Sequence, residues 1–148
     1  MGIVNREKRA VARRLLEGFL KREITGEELA NSYPRDSADA AMGAIYERLW
    51  GYWDDGDTRR SSPQGQLQGE DRALFERCIA FLDSDLVYEW PQFQWFKLSM
   101  ALFRACGFRN TTERKARESL NQMRRHGNLQ VWPFVREEDY LRFSFRPR

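Results

Sequence analysis

The chain has 148 residues, of which 41% are hydrophobic, 14% aromatic and 32% charged, with a formal net charge of +3. That length suits one domain with enough core to need no disulfide or metal staple, and so high an aromatic share excludes a disordered polar chain. A mean hydropathy of -0.74, with no apolar run near the ~18 residues that a spanning helix needs, excludes a membrane helix. The charged stretch Asn5-Arg6-Glu7-Lys8-Arg9 lacks the apolar centre of a secretory signal, and Arg6 stands where a myristoylation signal carries Ser or Thr, so a cytoplasmic location is expected.

The net charge hides a pattern. Residues 1–25 carry seven basic and three acidic groups, 26–103 seven and fourteen, and 104–148 eleven and five. The balances of +4, -7 and +6 mean either that the basic ends pack near the acidic middle or that a basic face is left for an anionic partner. Four of the 25 basic residues are lysine; arginine makes planar, two-pronged contacts with carboxylate and phosphate.

A first helix is expected over 5–23. Val4, Val11, Leu15 and Phe19 form its apolar line, Ala12, Leu16 and Leu20 widen it, and Arg6, Arg9 and Arg13 take the opposite side. Thr25 and Glu28 have the spacing of a capping box for a short helix through Asn31, and Tyr33-Pro34 stops it. Asp36 or Ser37 can cap a helix over 37–54 with Ala38, Ala41, Met42, Ile45, Leu49 and Trp53 inward. Residues 56–69 hold Gly, Ser, Pro and Gln with few apolar side chains and read as an exposed, flexible loop.

A helix over 70–83 follows, with Leu74, Phe75, Cys78, Ile79 and Leu82 inward. Leu86 to Phe96 is the densest aromatic stretch of the chain. Trp90-Pro91 breaks it, and Pro91 suits the first turn of a central helix over 91–106. Phe93, Trp95 and Phe96 then fall to the core by periodicity, and Gly107 stops the helix. Thr111 or Thr112 caps a helix to His126, with Ala116, Leu120 and Met123 on a narrow apolar line. Gly127 ends it. In the tail, Leu129 to Trp132 and Tyr140 to Phe145 alternate around Arg136-Glu137-Glu138-Asp139. A short β-hairpin and a helix started by the acidic run both fit, and the alternation favours the hairpin. The fold class is therefore mainly α: one domain over 1–148, a bundle of five or six helices centred on 37–54 and 91–106, ending in a short hairpin.

Catalytic chemistry has little to stand on. His126 is the sole histidine and sits at a helix end, where a cation suits the macrodipole. Neither Cys78 nor Cys106 has a neighbour set that would lower a thiol pKa; both read as buried and reduced. No phosphate-cradling glycine loop or dinucleotide fingerprint occurs. No zinc spacing or calcium loop occurs either, so no metal and no cofactor are expected. Asp83, Asp85 and Glu89 beside the aromatic stretch could serve a hydrolase, but Asp83-Ser84-Asp85 has the residue types of a helix end and a turn.

Two binding chemistries remain. Tyr88, Glu89 and Trp90 stand at a bend next to the core, where aromatic rings can dominate a protein interface. Arg114, Arg117, Asn121, Arg124 and Arg125 share one side of the 112–126 helix, right for a rim around such an interface or for phosphates and base edges. The expected function is a non-enzymatic cytoplasmic protein that binds another protein. In size and class it resembles the immunity proteins that neutralise toxins and small adaptors of bacterial style. The alternative is a nucleic-acid-binding module in which the 112–126 helix and the hairpin resemble a winged-helix layout in element order. The sequence leaves the oligomeric state open.

Overall fold

The structure, a computed structural model, describes residues 2–53, 69–91 and 111–144. Six α-helices and no strand occur among them: α1 (Arg6–Leu20), α2 (Gly26–Ser32), α3 (Ala40–Trp53), α4 (Gly69–Leu82), α5 (Thr111–His126) and α6 (Glu137–Ser144). A 3-10 turn, Leu129–Val131, lies between the last two. The chain is a mainly helical bundle, as its periodicities imply. Most of the expected loop 56–69 and central helix 91–106, with Phe93, Trp95, Phe96 and Cys106, lie outside the described residues.

Each boundary has a local cause. Asn5 caps α1 by accepting from the Lys8 N–H at 3.1 Å. The helix ends in a Schellman arrangement: Glu23 N–H reaches the Gly18 carbonyl at 2.8 Å and Arg22 N–H the Phe19 carbonyl at 3.1 Å, with Arg22 left-handed at φ 62. At α2 the expected capping box is complete, Thr25 Oγ1 accepting from Glu28 N–H at 2.8 Å and Glu28 Oε2 from Thr25 N–H at 2.6 Å. Tyr33 then turns extended ahead of Pro34.

α3 starts later than expected, at Ala40, and Ala38 is exposed rather than inward. Asp39 governs this start: its Oδ1 accepts from the Ala41 N–H at 3.2 Å. Ala41, Met42, Ile45 and Leu49 are buried as their spacing implies.

The core gathers α1 and α4 along their lengths, closes over α3, and ends on α6. Leu74, Phe75, Cys78, Ile79 and Leu82 of α4 all face it, joined by Ala80 and Phe81. Phe75 stacks on Phe19 with centroids 5.4 Å apart and meets Tyr52 edge-on at 5.4 Å. Phe81 meets Phe134 edge-on at 5.1 Å. Burying one such ring contributes about 1.5–3 kcal/mol.

Two expectations fail here. Val11, expected inward, is exposed, while Arg9, expected outward, is 1% exposed. The buried line of α1 runs Arg9, Ala12, Leu16, and Arg9 is drawn in by Asp39, itself 1% exposed. The tail also departs from expectation: residues 137–144 are helix, not a hairpin strand. Glu137, Glu138 and Asp139 fill the first turn, where carboxylates suit the positive end of the helix dipole. Phe134, Tyr140 and Phe143 then pack together on the α4 side of the bundle, which the flat spacing of a hairpin would not allow.

Candidate interaction surface

The bend at residues 84–90 is built from the end of α4. Ser84 Oγ donates to the Phe81 carbonyl at 2.7 Å, and the Leu86 N–H donates to Ser84 Oγ at 3.3 Å. Here Asp83-Ser84-Asp85 does act as a helix end and turn, through its serine. The guanidinium of Arg9 then holds the strip: Nη1 donates to the Ser84 and Leu86 carbonyls at 3.1 and 2.9 Å, while Nε and Nη2 grip Asp39 at 2.6 and 2.9 Å. Asp39 also accepts from the Asn5 N–H at 3.0 Å, and the guanidinium lies 5.3 Å from the Phe81 ring centroid. Four of the five guanidinium N–H donors are thus engaged, and a buried charge so held is a structural lock.

The three residues expected at an interface separate in space. Trp90 is 4% exposed and belongs to the core, which corrects its expected place at an interface. Its Nε1 donates to the Pro133 and Phe134 carbonyls at 3.0 and 3.3 Å, so both its body and its polar tip are used inside the molecule. Tyr88 is half-buried and accepts from Trp132 Nε1 at 3.1 Å; burial pushes its hydroxyl pKa well up. Glu89 alone is exposed.

The arginines of α5 lie otherwise. Met123, 1% exposed, marks the inner side of the helix. Arg114, Arg117, Asn121, Arg124 and Arg125 are all exposed, and helical spacing sets them together on the side away from Met123. The face is not purely basic: Arg114 Nε lies 3.8 Å from Glu118 Oε1, both exposed. The C-terminal end of α5 is fixed by Gly127. A Cβ there would stand 2.9 Å from Val135 Cγ1, 3.0 Å from the Val135 carbonyl and 3.1 Å from Trp90 Cη2, so a side chain at this position requires Val135 or Trp90 to shift. His126 sits beside Trp90 with ring centroids 5.6 Å apart.

The carboxylates considered for hydrolysis lie on the surface. Asp85 pairs with Arg6 at 2.7 Å and Asp83 with Arg13 at 3.4 Å, in exposed or half-exposed bridges. Cys78 is a buried free thiol whose pKa burial pushes up to about 12, leaving it unreactive at neutral pH. Among the described residues no group of three or more His, Cys, Asp or Glu could hold a metal ion, and no helix is long and apolar enough to cross a membrane.

Helical spacing alone identifies the arginine face. It does not identify the Arg9–Asp39 lock, although Arg9 stands three and seven residues before Ala12 and Leu16 on the buried line. No protein-family model, curated protein or solved structure matches this chain.

Proposed function

We propose that this is a non-enzymatic protein-binding protein, immunity- or adaptor-like, that meets its partner through the exposed side of α5. One observation carries the reading: Arg114, Arg117, Asn121, Arg124 and Arg125 are solvent-exposed together, with a carboxylate among them. Arginine forks bind carboxylates in two-pronged geometry, and a face that also carries Glu118 suits a protein surface of mixed charge better than a uniform polyanion. Exposed Glu89 and half-buried Tyr88 are left as a lesser contact, since the Trp90 ring is used internally. A cytoplasmic, reducing location goes with this reading and with the free thiol of Cys78.

Nucleic acid is the second reading, favoured by the same arginines. Its winged-helix form needs a hairpin after the basic helix, where this chain has α6. The experiment that separates the two is affinity capture from the source cell with the intact chain and with Arg114→Glu/Arg117→Glu, each with and without nuclease. Protein binding gives a defined, nuclease-resistant partner that the variant loses. A partner held equally by the variant refutes the site. Capture abolished by nuclease, with affinity falling steeply as salt rises, establishes nucleic acid instead.

A further inference from the structure

The strip that follows α4 alternates. Ser84 and Trp90 are buried and Leu86 and Tyr88 half-buried, while Asp85, Val87 and Glu89 are exposed. Residues 85–89 run without helix, turn or bend. Burial of every second residue over such a run is the pattern of a strand with one face on a core, yet no strand pairs with it among the described residues. Its two edges differ. The Ser84 and Leu86 carbonyls, two residues apart, both accept from Arg9 of α1. In an extended chain the main-chain groups of successive residues point to opposite edges, so those of Asp85, Val87 and Glu89 point away from Arg9. None of these N–H and carbonyl groups enters a hydrogen bond among the described residues. At the centre of the strip Val87 is 40% exposed. Gly2 lies so close that a Cβ on it would overlap Val87 Cγ1, and the next residue, Ile3, is 59% exposed. Glu89 makes no ion pair among the described residues, and Asp85 has only its exposed bridge to Arg6.

We propose that residues 85–89 receive an extended segment of a partner protein as an added strand, with basic residues opposite Asp85 and Glu89 and an apolar residue opposite Val87. A row of unpaired N–H and carbonyl groups is a template for a second strand, and strand addition draws its affinity from main-chain hydrogen bonds and its specificity from alternate side chains. Those side chains choose the occupant. A second copy paired antiparallel about Val87 sets Asp85 against Glu89, and a parallel copy sets each acid against itself. Like charges directly opposite are destabilising in either direction, whereas opposite charges stabilise a cross-strand pair. A basic segment therefore meets the strip where a second copy is repelled. Val87, with Ile3 beside Gly2, gives the apolar centre of the contact. The proposal goes beyond the α5 reading, since it uses neither that helix nor its arginines.

The test titrates the full chain with a capped synthetic peptide that carries lysine, valine and lysine at alternate positions with threonine between them. Binding is read by calorimetry, and hydrogen exchange of the Val87 and Glu89 N–H groups by NMR. The peptide binds and slows both exchanges. Methylating its main-chain nitrogens on one set of alternate residues abolishes binding, and methylating the other set does not, because one edge of an added strand faces the protein. Val87→Pro, which removes a free N–H and no hydrogen bond among the described residues, weakens binding by about tenfold, the scale of one or two main-chain hydrogen bonds. Glu89→Lys weakens it similarly and binds the glutamate version of the peptide better than the unaltered chain does, which also shows that the variant is folded. No saturable binding up to about 1 mM peptide overturns the proposal, as does binding indifferent to methylation. Slowed exchange that appears without peptide as protein concentration rises makes a second copy the occupant and also overturns it. If the peptide fails while Arg114→Glu/Arg117→Glu still loses its captured partner, strand addition fails and the α5 reading stands. If the peptide binds as described while that variant captures its partner unchanged, strand addition stands and the α5 reading fails.

Discussion

Replacing Arg9 by methionine keeps the aliphatic stem and deletes the guanidinium. Four hydrogen bonds go: two to Asp39, at 2.6 and 2.9 Å, and those to the Ser84 and Leu86 carbonyls, at 3.1 and 2.9 Å. Asp39 stays behind, 1% exposed, with the Asn5 and Ala41 N–H groups as its remaining donors. Removing one side of a buried pair costs roughly 3–5 kcal/mol, since the other charge is left uncompensated. The two surviving donors pull that figure down and the two stranded carbonyls push it up, so a loss of about 4 kcal/mol is expected. A domain of this size is stable by about 5–15 kcal/mol, which places Arg9→Met near the edge of folding. Urea unfolding followed by circular dichroism checks it. With a slope of about 2 kcal/mol per molar, the midpoint falls by roughly 2 M. Arg9→Met/Asp39→Asn, which deletes both charges and keeps an acceptor for one of the Asn5 and Ala41 N–H groups, recovers part of the loss. A loss under about 1 kcal/mol for Arg9→Met, the scale of an exposed pair, refutes the lock. So does a double variant no more stable than the single one.

Two other outcomes follow from the geometry. Gly127→Ala forces a methyl group against the Val135 backbone and the Trp90 ring and costs about 1–3 kcal/mol in the same unfolding assay; an unchanged midpoint would show that Trp90 and Val135 yield freely. Asp36 is held below its usual pKa, first by the Ala38 N–H, then by the Asn5 side-chain amide. A depressed carboxylate stabilises the fold above the unfolded-state pKa, about 3.9. That contribution fades as pH falls through the folded value. Asp36→Asn therefore flattens the acid limb of the midpoint-against-pH curve, and identical limbs in both proteins would contradict the assignment.

What the sequence discloses depends on the kind of force involved. Met42, Ile45 and Leu49 repeat at helical spacing because burial has one partner, the common interior, and a pattern in one segment suffices to see it. The Thr25–Glu28 box is equally legible, since both partners lie within one turn. Arg9 reads as outward because its partner is 30 residues away, and a charge reads as solvated until an opposite charge is known to meet it. The tail reads as a hairpin because alternation over so few residues fits two periods, and the contacts of Phe134 with Phe81, Tyr140 and Phe143 decide between them. At the candidate surface, the arginine face of α5 is visible as a helical arc. The burial of Trp90 is not, because its acceptors lie 43 and 44 residues downstream.

That distance bears on how the molecule is made. A ribosome releases the chain in order, at about 5–20 residues per second. Trp90 and the Phe81 end of α4 therefore emerge well before the Pro133 and Phe134 carbonyls that receive the indole N–H and the Phe134 ring that covers Phe81. For those seconds the Phe81 end of α4 lacks the cover that Phe134 gives it. That end of the bundle closes only when residues 132–134 arrive, so a nascent chain stalled before them displays part of its aromatic surface for chaperones to engage.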